Sequence, residues 1–287
     1  MNRRATDPSA AISLSQGQGR SVRAILAFFA LAFAWSWTVG FWAQSTLGTS
    51  PISGTGLAML SGFGPSFAAL AIVARFNDRS GLREWVVKCL NWRINWGWYA
   101  VAFCLPPVIM LLALGVFGLM GGIIPASPAV GHIPLAMANF ALVFVVGGPL
   151  GEEFGWRGFA LPALAALLNW RVASVLLGLV WGLWHLPLFF MANTPQEHMP
   201  ILLFLVSTTA QSVMFAWLYV NTSGSVIPAL VMHTSVNAWM NIIPILPTHG
   251  SLRPLLLMTG IQAIIALALL FKAQLNRASP VIARPPC

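Results

Sequence analysis

The chain has 287 residues, 58% of them hydrophobic and only 7% charged, where a soluble domain carries roughly 25% charge. With several apolar runs of about 20 residues, this composition excludes a soluble globular protein and implies a polytopic membrane protein. The net charge of +9 is not a nucleic-acid footprint, because the basic residues are scattered at segment ends rather than gathered on one face.

In chain order, residues 1–22 read as a polar, disordered cytoplasmic tail. The apolar run at 24–43 is longer than the roughly 7–15 residues of a signal-peptide core, so it reads as an uncleaved first span. Further spans are expected at 55–74, 99–121, 133–158, 172–191, 200–220, 225–246 and 253–271. The fold class is therefore all-α, a polytopic membrane protein of about eight transmembrane helices. It forms a single domain over 23–272, followed by a cytoplasmic tail at 273–287. Between the second and third spans, Arg75, Arg79, Arg83, Lys88 and Arg93 interleave with Trp85, Trp92 and Trp96, the pattern of a segment lying in the headgroup region. With the N-terminus inside, every Lys and Arg except Arg253 falls on the inner side. The positive-inside rule then places both termini in the cytoplasm. Compact size without organelle signals points to a prokaryotic inner membrane. Cys89, Cys104 and Cys287 show neither paired nor metal-type spacing, so no disulfide framework is expected.

Two of the six acids stand side by side in Gly151-Glu152-Glu153-Phe154-Gly155-Trp156-Arg157, after an apolar run; Asp7, Asp78, Glu84 and Glu197 fall in polar or loop segments. Ionisable groups at membrane depth cost several kcal/mol unless paired or facing a cavity, which makes them functional candidates. On a helix, Glu153 pairs with Arg157 four residues on, while Glu152, about 100° round, stays free for chemistry. Two other apolar runs carry His185, just before Pro187, and His233, which shares a helix face with Asn237. His132, His198 and His249 fall in expected external loops. Glu152 and His185 lie at equal distances from a turn at 168–169, so they are expected at matching depth. A straight arm of that length would reach about 24 Å, nearly across the ~30 Å core. The expectation is that the fourth span ends near 157–158, ahead of Pro162, and that 159–170 runs along the interface. The cavity would then face inward at moderate depth.

A partly desolvated Glu152 near imidazole can act as general base on a water. His185 would orient that water, and His233 and Asn237 would supply oxyanion donors. The chemistry is amide hydrolysis without a covalent intermediate. Glu152, His185 and His233 would also make a Zn²⁺ shell with one open position. No HExxH occurs to favour it, and the metal-free route is preferred. Rival readings are a proton-coupled transporter, against which no repeated pair of broken helices is found, and a non-catalytic immunity or scaffold protein.

The ordered set Glu152-Glu153-x-x-x-Arg157, Trp181-x-x-x-His185 and His233-x-x-x-Asn237 resembles the CPBP family of intramembrane proteases over 130–245. That family includes CAAX prenyl endopeptidases of the Rce1 type and Abi proteins linked to bacteriocin immunity. The resemblance implies an eight-span bundle with a catalytic cavity open to the cytoplasm, built from Glu152, Glu153 and Arg157 on the fourth span, His185 on the fifth, and His233 with Asn237 on the seventh. Family members are widely labelled metalloproteases, although a glutamate-and-water mechanism has also been proposed for them. Trp181 stands where the second motif usually has Phe, which bears on cavity width and substrate range. The implied partners are a peptide or membrane-protein substrate and the bilayer, with no nucleic acid.

Overall fold

Long apolar runs lacking strand-type alternation satisfy their backbone within helices, and no strand occurs among the described residues. A computed structural model describes residues 8–192, 194–247 and 251–275. The helices are α1 (Pro8–Leu47), α2 (Pro51–Ser61), α3 (Gly64–Phe76), α4 (Arg79–Cys89), α5 (Trp96–Leu119), α6 (Ile133–Val146), α7 (Pro149–Gly155), α8 (Leu161–Leu167), α9 (Trp170–Trp184), α10 (Ile201–Asn221), α11 (Ile227–Met240) and α12 (Arg253–Leu275). A π turn, Trp156–Ala160, joins α7 to α8, and two 3₁₀ turns, Leu186–Phe190 and Pro195–His198, lead from α9 to α10. α1 overlaps part of the tail expected at 1–22. Residues 1–7 and 276–287, and with them most of the C-terminal tail expected at 273–287, lie outside the described residues.

The chain is an all-α, multi-pass membrane protein. Six helices among the described residues are long and apolar enough to cross a membrane, and the α2–α3 pair, bent by 49°, would make a seventh. Each of the eight expected segments has a helical counterpart. The exception in length is α11, whose 14 residues reach only about 21 Å. It is largely enclosed by its neighbours, with Met232, His233, Ser235 and Val236 all buried.

Close helix contacts depend on small residues, because lipid supplies little hydrophobic drive between helices. On α7 a Cβ at Gly151 would stand 2.5 Å from the Gly62 carbonyl oxygen, and one at Gly155 would overlap the Pro65 carbonyl. That face is therefore committed to the start of α3, and Glu152 is turned into a cavity instead. Ser174, Gly178 and Gly182, spaced by four on α9, meet α10 in the same way, with the Ser212 hydroxyl donating to the Ser174 carbonyl at 2.8 Å.

The fourth span departs from expectation. It does not end near 157–158; the helix passes through the π turn and continues to Leu167. The wider π ring just ahead of Pro162 accommodates a residue that lacks an N–H, so the helix unwinds locally rather than stopping. The break falls earlier, at Gly147–Gly148, where Gly148 adopts φ +109°, a conformation open to glycine and strained for other residues.

The basic segment forms α4, capped by Asp78, whose carboxylate accepts from the Ser80 hydroxyl at 2.6 Å and the Gly81 amide at 2.9 Å. These two donors, Ser80 first, hold the Asp78 carboxyl below the usual carboxylate range, so the charged cap persists at neutral pH and is lost only on acidification. Arg79 and Arg83 are exposed while Trp85 and Cys89 are buried. The Trp85 indole donates to the Gly158 carbonyl at 3.0 Å, and the Val226 amide donates to the Cys89 carbonyl at 3.1 Å. The headgroup segment thus rests on the π turn and on the start of α11.

Candidate active site

The Gly147–Gly148 break starts a new helix three residues before Glu152. The Asn237 side-chain amide donates to the freed Gly147 carbonyl at 3.1 Å, tying α11 to the break. A Cβ at Gly148 would lie 2.6 Å from Glu152 Oε1. Gly148→Ala should therefore both strain the backbone, by about 1–3 kcal/mol, and displace the Glu152 carboxyl. The expected result is a lowered melting temperature together with at least about a tenfold loss of kcat, measured by thermal melting and initial rates on one preparation.

The two glutamates divide as the helix geometry suggests. Glu153 and Arg157 are fully buried, with Arg157 Nη1 donating to Glu153 Oε1 at 2.9 Å. His233 Nδ1 stands 2.7 Å from the same oxygen, making a three-member cluster that the sequence reading did not connect. The Arg157 guanidinium lies between two aromatic rings, 4.7 Å from the Trp181 centroid and 4.5 Å from that of Phe215. These cation–π faces partly replace the hydrogen bonds that Arg157 Nε and Nη2 lack.

Glu152 stands outside this cluster. It is 4% exposed, and its Oε2 accepts from the Trp181 indole at 2.6 Å and the Trp156 indole at 3.3 Å. His185 Nδ1 lies 2.8 Å from the Trp181 carbonyl oxygen. A carbonyl only accepts, so Nδ1 carries the hydrogen, and Nε2 presents a lone pair when the ring is neutral.

Glu152, His185, His233 and Asn237 line one cavity of about 520 Å³, so α7, α9 and α11 bring together the residues singled out by sequence. Glu153 and Arg157 lie behind its wall. His132 and His198 are not among the lining residues, and His249 is outside the described residues. Burial pushes the Cys89 thiol up to about 12, which leaves it neutral and unsuited to nucleophilic attack.

Among the described residues no three His, Cys, Asp or Glu side chains are grouped to hold an ion. Glu152 Oε2 is occupied by two indole N–H groups. Glu152, His185 and His233 are not grouped as a metal shell in this arrangement.

Sequence reasoning treated Trp181 only as bulk. Besides hydrogen-bonding Glu152 and facing Arg157, its ring meets His185 and His233 edge-on, with centroids 5.6 Å and 5.4 Å away. Trp181→Phe keeps a ring but deletes the N–H donated to a carboxylate, a bond worth about 1.5–3 kcal/mol. It should lower kcat about tenfold while KM stays within about twofold, read from steady-state kinetics.

Fold and site together define a multi-pass, all-helical membrane protein with a carboxyl outside the buried ion pair and two imidazoles around one internal cavity. Residues 134–239 match the family model described as type II CAAX prenyl endopeptidase Rce1-like. The chain is also 26% identical over 190 residues to CAAX prenyl protease 2 of Methanococcus maripaludis, covering 63% of this chain and 70% of that protein. With the three motifs in order, the chain is similar to the CPBP family over these residues.

Proposed function

We propose that this protein is an intramembrane endopeptidase that hydrolyses peptide bonds with a water activated by Glu152. The observation that carries the reading is that Glu152 shares a cavity with His185 and His233 and lies outside the ion pair that Arg157 makes with Glu153. Glu152 takes a proton from the water as its oxygen attacks the carbonyl carbon, then returns it to the leaving amine. His185 Nε2 holds and orients the water. Asn237 has a second amide hydrogen beyond the one given to Gly147, available to the developing oxyanion. Glu153 and Arg157 fix His233 from behind.

His185→Ala should cut kcat at least about 100-fold, measured with a quenched fluorescent peptide and the purified protein in detergent. Chelator titration addresses the Zn²⁺ alternative at Glu152, His185 and His233. Activity is expected to survive, and a loss restored by added metal would replace the glutamate-and-water route. A prenylated C-terminal peptide is the substrate that the archaeal relative's name would carry over. The cavity wall itself favours uncharged, apolar side chains, since Met59, Met191, Met199, Met240 and Met258 line it.

A further inference from the structure

We infer that Gln211 and Thr259, on the wall that α10 and α12 give the cavity, form a neutral subsite that hydrogen-bonds main-chain amide groups of the bound peptide. The identity of the ligand rests on the endopeptidase reading.

Polar side chains on apolar helices either tie helices together or serve a cavity. The Ser207 hydroxyl donates to Gln262 Oε1 at 2.7 Å, and Gln211 Nε2 donates to Ser207 Oγ at 3.0 Å. All three residues are 6% exposed or less. The Ser207–Gln262 bond crosses from α10 to α12 and accounts for both of those residues as a tie. It does not account for Gln211, one turn further along α10. Gln211 lines the cavity, and only one of its two amide hydrogens goes to Ser207.

Thr259 stands one turn before Gln262 on α12 and also lines the cavity. Its hydroxyl is buried and has no hydrogen-bond partner among the described residues. Thr208, Thr209, Thr222 and Thr234 each donate to the carbonyl four residues back, the usual outlet for a helical threonine. Thr259 does not use it. A buried hydroxyl without a partner destabilises the protein by itself, and a partner arriving with the ligand removes that cost. One rotation about χ1 exchanges the hydroxyl and the methyl of Thr259 at the wall.

The ligand chemistry follows from the rest of the lining. Its ionisable members among the described residues are Glu152, His185 and His233, on α7, α9 and α11. The part built by α10 and α12 is uncharged. An amide and a hydroxyl can each donate and accept, which matches an N–H and C=O pair rather than a carboxylate or an ammonium. The methionines around the cavity suit apolar side chains. A peptide with such side chains has its polar groups in the main chain, and these lose water on entry and need partners. The subsite supplies them without selecting a side chain.

Binding is read without turnover, on Glu152→Gln, by fluorescence anisotropy of a dye-labelled, end-blocked hexapeptide of alanine, leucine and valine. Adding Thr259→Val or Gln211→Met should raise Kd about fivefold, while Thr259→Ser should stay within about twofold; either of the first two suffices where the other does not accumulate. Esters replacing the main-chain amides one at a time should weaken binding about fivefold at one position, and that loss should vanish in Thr259→Val or Gln211→Met. Thr259→Val should melt at or above the temperature of Glu152→Gln alone, where a purely structural hydroxyl predicts a lower melting temperature with Kd unchanged. An unchanged Kd in the variants, the absence of any ester-sensitive position, or a peptide that does not bind overturns the inference. Failure of the endopeptidase reading shows separately, as cleavage absent from the parent or persisting in Glu152→Gln while the Kd pattern stands.

Discussion

Glu152→Gln should abolish peptide cleavage while leaving the protein folded. The amide keeps the shape of the carboxylate and still offers an oxygen to the Trp181 indole, which donates at 2.6 Å in the parent. What it loses is the ability to accept a proton from water, a contribution of about 10²–10⁴ in rate. The Glu153–Arg157–His233 cluster does not involve Glu152, so melting temperature and detergent elution should match the parent. Turnover at the parental rate by purified Glu152→Gln would refute the general-base assignment. Proteoliposome flux dependent on Glu152, with no cleavage, would turn the reading towards a proton-coupled transporter.

Glu153→Ala should act on stability first. Glu153 and Arg157 are both fully buried, and Glu153 Oε1 is the hydrogen-bond acceptor for both Arg157 Nη1 and His233 Nδ1. Removing it deprives the buried guanidinium of its hydrogen-bonded carboxylate and leaves it against the faces of Trp181 and Phe215. Breaking one partner of a buried pair costs about 3–5 kcal/mol, enough to deplete the folded protein from the membrane. The double variant Glu153→Leu with Arg157→Met removes both charges and should recover most of the melting temperature without restoring cleavage, because His233 still loses its anchor. Thermal melting of the single and double variants, set beside their kcat values, separates the two effects. A single variant as stable as the parent would show that the cluster does not hold the fold together.

Much of the site was legible because helical periodicity is a local property. Glu153 and Arg157 pair at i, i+4 in the structure as the spacing requires, and Glu152 is left outside that pair. The positions of Glu152 and His185 at equal distances from the turn at 168–169, on consecutive apolar segments, were enough to suggest a shared pocket. Spacing could not show that His233 reaches Glu153 at 2.7 Å, or that Trp181 bonds Glu152 across 29 positions. Trp156 was the more accessible omission, since it follows Glu152 by four residues and donates to it at 3.3 Å.

Composition and hydropathy alone determined that this is an all-helical membrane protein, because a backbone in lipid must satisfy its own hydrogen bonds and an apolar run of sufficient length does so as a helix. They also singled out the few ionisable groups proposed to carry the chemistry, since such groups are costly at membrane depth unless paired or facing a cavity. Tertiary structure decided the rest: that the fourth span breaks at Gly147–Gly148, that α11 is a 14-residue helix largely enclosed by its neighbours, and that the Trp181 and Trp156 indoles converge on Glu152. Those features depend on how glycine faces, a π turn and crossing helices fit against one another. Contacts between segments far apart in the chain leave little trace in local pattern.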